Sequence, residues 1–296
     1  ACYELPISVR TYVWAPGTLS LEAACNWKKN ISVTASDDLF RIQGVKLFAD
    51  GGFSAKSAAV KSPYLTCGCR GGHTFRGDVA LEKEFAQRAI ELTQNAGLQL
   101  AVHANGDRAQ EWVCDMLLEM GGAPTGRLRT RIEHAGNLMP SEVTADKWAA
   151  AGIIPVPQPV FLYTFGEYFP DYLGDYGKLG RFSFSTLIKQ GWRLSGSSDV
   201  WVGSESEATN PLFGVWCCLK RQTYSGATLD LQEAISIDQA LRLHTLDAAA
   251  VLGEDDVRGS LAPGKFADLI VLDRDPHAVT VDELPKIKVD RVFKNG

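Results

Sequence analysis

Apolar and polar positions along this chain change rhythm repeatedly. Short runs rich in Val, Ile and Leu, bounded by Gly, Pro or Asp, occupy residues 7–14, 44–51, 98–106, 129–136, 152–159 and 192–200. Runs of this length and composition predict strands. Between them, apolar side chains recur at helical spacing. In residues 78–97, Leu81, Phe85, Ala89 and Leu92 share one face, with Asp78 placed to cap the start and Gly97 to end it. Ser141 opens a further helix that Gly152 stops, and Asp107 is placed to cap the helix after His103. Ser236-Ile237-Asp238-Gln239 fits a capping box opening a helix that runs to Gly253, because the Gln side chain can reach back to the Ser amide.

Strands that alternate with helices imply parallel pairing through right-handed crossovers. The fold class expected is therefore α/β, and the six units look like part of a (β/α)8 TIM-type barrel. A doubly wound open sheet competes with it, but its usual Gly-rich phosphate turn is missing after the first strand. Residues 259–273 differ in kind, with a Pro-Gly turn and then one strand; residues 289–296 supply a second strand. Too little chain separates them for another barrel unit, so they predict a small β appendage. The expected division is a barrel over residues 1–255 and a small β-sandwich portion over residues 256–296.

Composition narrows the function classes. The chain has 296 residues, a formal net charge of −5, 45% hydrophobic and 22% charged residues, as expected of a globular protein. Mild acidity without a Lys/Arg cluster argues against nucleic acid. No apolar run reaches the ~18 residues of a membrane span. No secretory signal is visible, and a cytoplasmic location is expected. The chain opens without Met and runs straight into a strand, which reads as the interior of a larger domain. The seven cysteines, Cys67 and Cys69 in a lone C-x-C and Cys217 beside Cys218, form no paired zinc ribbon and are expected to be reduced.

In a barrel, chemistry sits where strands end at the C-terminal face. Four such positions carry groups able to bind a metal: Lys46, His103, His134 and Asp199. Ala101 shares the face of His103, and Ser195 and Ser197 that of Asp199, so small side chains leave room beneath the ligands. Singly, each has a bland explanation. A strand-end His is commonly a hydrogen-bonded structural residue, a strand Lys an ion-paired one, and Asp199 a turn cap. As a set, two imidazoles and a carboxylate form an N/O group suited to Zn2+, in one or two ions, or to another divalent metal. Lys46 joins such a set only when neutral or converted to a carbamate.

The stretches "GVKLFADGG", "AVHANGDRA", "RIEHAG", "SGSSDV" and "GSLAPGKFADLIVLDRDP" together resemble the amidohydrolase superfamily, most closely the amidohydrolase family 3 group of YtcJ-like metal-dependent hydrolases. The resemblance covers nearly the whole chain. It implies that Lys46 is a carboxylated bridging ligand, that His103 and His134 hold the more buried metal, and that Asp199 binds the second metal and acts as general base. The implied reaction is hydrolysis of a non-peptide C–N bond in an amide, N-formyl or related small-molecule substrate, with a homodimer as the implied assembly. One departure stands out: the family's His-x-His pair is absent from these 296 residues. The first strand here resembles the family's third, so the chain reads as strands three to eight, with the earlier strands and the opening half of the β-sandwich before Ala1.

The other histidines carry less. His244 shares a helical face with Ala240, Leu241, Ala248 and Val251 and is expected to be a satisfied core residue. His73 lies on a Gly-rich loop and His277 in the appendage, both expected at the surface. Two rival functions remain: a lyase forming a Schiff base through Lys46, and a non-catalytic or incomplete barrel lacking the His-x-His ligands.

Overall fold

The computed structural model describes residues 7–33, 36, 39–65, 74–122, 128–139, 141–200 and 206–296. Five of the six predicted strands pair in chain order: β1 (Val9–Trp14), β2 (Phe40–Phe48), β3 (Gln99–His103), β4 (Arg131–Glu133) and β5 (Ile154–Val156). Every neighbouring pair is parallel. The registers align Trp14 with Lys46, Lys46 with Ala101, and His103 with both Phe48 and Glu133. In parallel strands, aligned residues point to the same side. One face of the sheet therefore carries Tyr12, Lys46, Gln99, His103, Arg131 and Glu133, an unusually polar set for a sheet interior.

The helices follow as α1 (Leu21–Cys25), α2 (Trp27–Asn30), α3 (Lys83–Asn95), α4 (Asp107–Glu119), α5 (Glu142–Ala151), α6 (Pro159–Phe165), α7 (Phe169–Leu173), α8 (Phe184–Lys189), α9 (Pro211–Lys220), α10 (Ile237–Leu243) and α11 (Leu246–Val251). The opposite sheet face is apolar. Val45, Leu47, Leu100, Val102 and Ile132 pack there with Ala86, Ala89 and Ile90 of α3 and Val113 and Leu117 of α4 in one continuous core. The small unit is β6 (Leu269–Leu272) paired antiparallel with β7 (Val289–Phe293).

Several local expectations hold. Ser141 Oγ accepts from the Val143 amide, Gly152 ends α5 at φ +70°, and Ser236 with Gln239 forms the capping box. Others need correction. Helix α3 begins at Lys83 after Glu82, not at Asp78, because the chain before it is tied elsewhere, the Ala80 amide bonding the carbonyl of Ala49, just past β2, at 2.8 Å. The helix from Ser236 breaks at His244 and Thr245 into α10 and α11. Residues 192–200 form no strand; the segment meets the chain just after β5 through the Ser197 amide, which bonds the Pro157 carbonyl at 3.1 Å. Asp107 is the first residue of α4 rather than its cap, and its Oδ1 accepts from the amides of Arg108 and Lys61, each at 3.0 Å. Cys25, Cys114, Cys217 and Cys218 are free thiols. Cys67, Cys69 and His73 lie outside the described residues.

Candidate active site at the strand ends

His103 is the last residue of β3, and His134 follows β4 directly. Neighbouring parallel strands thus deliver the two rings to one place. His134 Nε2 lies 3.0 Å from His103 Nδ1, with the rings edge to face. Its backbone is held at φ +75°, a region costly for a side-chain-bearing residue, and its amide bonds the Val156 carbonyl at 3.0 Å. Asp199 also sits at positive φ, +46°, and brings Oδ2 to 3.9 Å from His134 Nε2 while half of its side chain stays exposed.

Each imidazole has a polar contact behind it. His103 Nε2 lies 3.1 Å from the Gly51 carbonyl and 3.5 Å from Asp50. Asp50 is buried and accepts from the amides of Ala59, Asn105 and Gly106, at 2.8, 2.9 and 2.9 Å. His134 Nδ1 lies 2.7 Å from Gln158 Oε1. Sequence reasoning missed Asp50, Asn137 and Gln158. Gln158 could have been found by the rule that found His103, since it too is a polar residue just beyond a strand; an uncharged amide attracted no attention.

Lys46 occupies the same sheet face two residues before the end of β2, with Nζ 5.2 Å from the centre of the Phe48 ring. Burial pulls its ammonium below the ordinary range, with Glu133 and Asp199 opposing. Burial also lowers both imidazoles, His103 to about 3 and His134 to about 4, with the neighbouring Lys46 adding to the effect on each. Burial raises the Asp199 carboxyl, with Lys46 and His103 holding it back. At neutral pH the rings are therefore uncharged and able to donate lone pairs, while Asp199 is a strengthened base.

Of the predicted set, the structure brings His103, His134 and Asp199 together at the rim and places Lys46 beneath them. Among the described residues, no group of three or more His, Cys, Asp or Glu side chains is placed to hold a metal ion. Two neutral imidazole nitrogens facing each other beside a carboxylate nevertheless fit a divalent cation by donor chemistry. His244 is elsewhere, buried against Gly196 and Gly214, and its Nε2 has no hydrogen-bond partner among the described residues. The expectation that it is satisfied is not met. His277 is exposed, between Asp238 at 2.9 Å and Asp275 at 3.2 Å.

Parallel strands, covering helices and polar groups gathered at the strands' C-terminal ends define a protein of the β/α-barrel class, and that end is where such barrels carry their sites. The chain belongs to the amidohydrolase family, whose defining sequence pattern matches residues 4–296. It is 30% identical over 259 residues to the N-substituted formamide deformylase of Arthrobacter pascens, covering 87% of this chain and 45% of that protein. It is 28% identical over 255 residues to YtcJ of Bacillus subtilis, named as an amidohydrolase, covering 85% of this chain and 46% of that one. A metal-dependent hydrolase from Pyrococcus horikoshii, itself uncharacterised, superposes with a TM-score of 0.74 at 25% identity, over 93% of this chain and 52% of that one. The chain thus spans about half the length of the relatives it matches. Among the described residues, no helix is long and apolar enough to cross a membrane.

Proposed function

We propose that this chain carries part of the active site of a metal-dependent hydrolase cleaving a non-peptide C–N bond in an amide or N-formyl compound. The observation that carries this reading is the pair of neutral imidazoles, 3.0 Å apart at adjacent strand ends with Asp199 beside them. His103 and His134 would hold a divalent ion, zinc by the donor types, with Lys46 and Asp199 completing this chain's share of the ligands. When bound, the ion acidifies a water and polarises the substrate carbonyl. Asp199, whose carboxyl burial raises, would be the base for the attacking water and the proton donor to the departing nitrogen. The lowered Lys46 ammonium favours the neutral amine, which is the form that adds to CO2 to give a carbamate and release a proton. Residues 256–296 form the small β unit beside this barrel portion.

The test is metal analysis and hydrolysis of N-substituted formamides by the purified protein and its Lys46→Ala, His103→Ala, His134→Ala and Asp199→Asn variants. His103→Ala and His134→Ala should each lose bound metal. Asp199→Asn should keep metal and lose about 10²–10⁴-fold in turnover, the size of a general-base contribution. Unchanged metal content in all four variants would reject the site. A lysine whose ammonium is lowered by burial is also what a Schiff-base lyase requires. Trapping of substrate on Lys46 by borohydride, with activity surviving chelation, would replace the hydrolase reading.

A further inference from the structure

We infer that Gln158 is a positioning residue: its side-chain amide holds the His134 proton on Nδ1, so that Nε2 meets His103 and Asp199 as a bare lone pair. The argument is a chain of forced donors and acceptors. The Gln158 backbone amide donates to Asn137 Oδ1 at 2.9 Å, which fixes which end of the Asn137 amide is oxygen. Asn137 Nδ2 must then be the atom donating to Gln158 Oε1 at 2.7 Å. The other end of Gln158 agrees, because Nε2 lies 2.8 Å from the Val156 carbonyl, which can only accept, and 2.8 Å from Ser197 Oγ. Gln158 Oε1 is therefore an acceptor, and a group 2.7 Å away must donate to it. His134 Nδ1 does so only when it carries the proton, and in a neutral imidazole the other nitrogen is then unprotonated.

The ring has little freedom to escape this assignment. His134 is 2% exposed and stacks on Phe161 with the planes 12° apart. His103 is not fixed in the same way: its Nε2 lies 3.1 Å from the Gly51 carbonyl, an acceptor, and 3.4 Å from Asn105 Nδ2, a donor, while its Nδ1 faces His134. With His134 Nε2 bare, it accepts at 3.0 Å from His103 Nδ1 when that nitrogen carries the neutral ring's proton, and is free to donate to a cation when it does not. Histidine ligands usually donate their second N–H to a carbonyl or carboxylate in this way, which fixes the ring and raises its basicity. Gln158 does one thing more. Through Ser197, two residues before Asp199, it ties the His134 ring to the segment that carries the carboxylate. A single amide thus sets both the tautomer of one group and the placement of the other.

The inference rests on the proposed metal site only for what the lone pair meets, and the test separates the two. Long-range proton–nitrogen correlation spectra of protein labelled with ¹⁵N-histidine distinguish Nδ1–H from Nε2–H rings. Metal-free protein at neutral pH should show His134 protonated on Nδ1, with the signal identified by its loss in His134→Ala. Gln158→Leu should shift His134 towards Nε2–H and weaken zinc binding about 10–100-fold. Gln158→Glu keeps an acceptor facing Nδ1, and should restore the tautomer and affinity to within a few-fold of the parent. A parent protein with His134 protonated on Nε2 overturns the inference, as does a Gln158→Leu protein with unchanged tautomer and affinity. Should Gln158→Leu fail to fold, the parent spectrum and Gln158→Glu still decide. An Nδ1–H tautomer that depends on Gln158, in a protein that binds no zinc, supports the inference and sinks the hydrolase reading.

Discussion

Three imidazoles are held neutral by burial, but for different ends. His103 and His134 face each other at the rim, whereas His244 is enclosed where α10 ends and its ring fills the space left by two glycines. Its affinity for protons falls to about 4 through burial alone. The unfolded chain binds that proton with an ordinary pKa near 6.5, so the unfolded state is favoured as pH drops from about 6.5 towards 4. His244→Leu removes this liability. Urea midpoints should separate at acid pH, the parent losing about 2–3 kcal/mol more than the variant between pH 7 and 4.5. Equal losses would show that His244 does not contribute to acid sensitivity. Single residues were legible in the sequence when their chemistry was conspicuous. A histidine at a strand end announces itself, while Gln158 and Asn137 act through the direction of a neutral hydrogen bond, which spacing does not encode. His244 was misread for the converse reason, since helical periodicity reports burial but not whether a buried nitrogen finds a partner.

At the scale of elements, the strands of the sheet were readable because their apolar faces are packed beneath helices over several consecutive residues. Residues 192–200 have the same composition but pair with no second strand along their length; Gly196 bonds the Leu243 carbonyl instead, which pulls the segment towards α10. Helix starts were readable where a hydroxyl cap is present, as at Ser141 and Ser236, and misplaced at α3, whose Glu82 makes no side-chain cap bond. The turn from β3 into α4 shows how closely elements meet at the site. A Cβ on Gly106 would lie 1.9 Å from the Ala59 carbonyl oxygen, an atom of backbone with no way to yield. The Gly106 amide also donates to Asp50, the carboxylate behind His103. Gly106→Ala should therefore cost about 1–3 kcal/mol or more by overpacking, and should weaken zinc binding as His103 shifts with the turn. Gly97→Ala is the control for generic loss of glycine, because nothing lies within 4 Å of its added Cβ, although its φ of +64° carries its own strain. Equal zinc affinity in Gly106→Ala and the parent would show that this turn does not position His103.

Over the whole molecule, a largely buried ion group and the proposed site occupy opposite ends of the sheet. The two histidines lie at the C-terminal ends of β3 and β4, whereas the starts of β1 and β2 are fastened by one buried carboxylate. Glu254 accepts from Arg10 at 2.5 Å and Arg41 at 2.6 Å, and is ion-paired with Arg258 at 2.9 Å. It joins strands near the beginning of the chain to the segment leading into β6, and Arg258 carries the link on to Asp268 at 2.8 Å. The carboxylate and two of its three guanidinium partners are largely buried, with side-chain exposures of 7%, 6% and 13%. Removing one partner from such a group leaves charge in a poorly solvated place, at a cost of about 3–5 kcal/mol. Nothing in the sequence pattern pairs Arg10 with Glu254, because the contact exists only once the β/α units have curved round to bring both ends of the chain to one rim. Glu254→Gln should lower the denaturant midpoint by an amount in that range while leaving the His134 tautomer and the zinc affinity of the folded protein unchanged. A fall in zinc affinity at full folding would show the two rims to be coupled, and the separation of this ion group from the proposed site would fail for this protein.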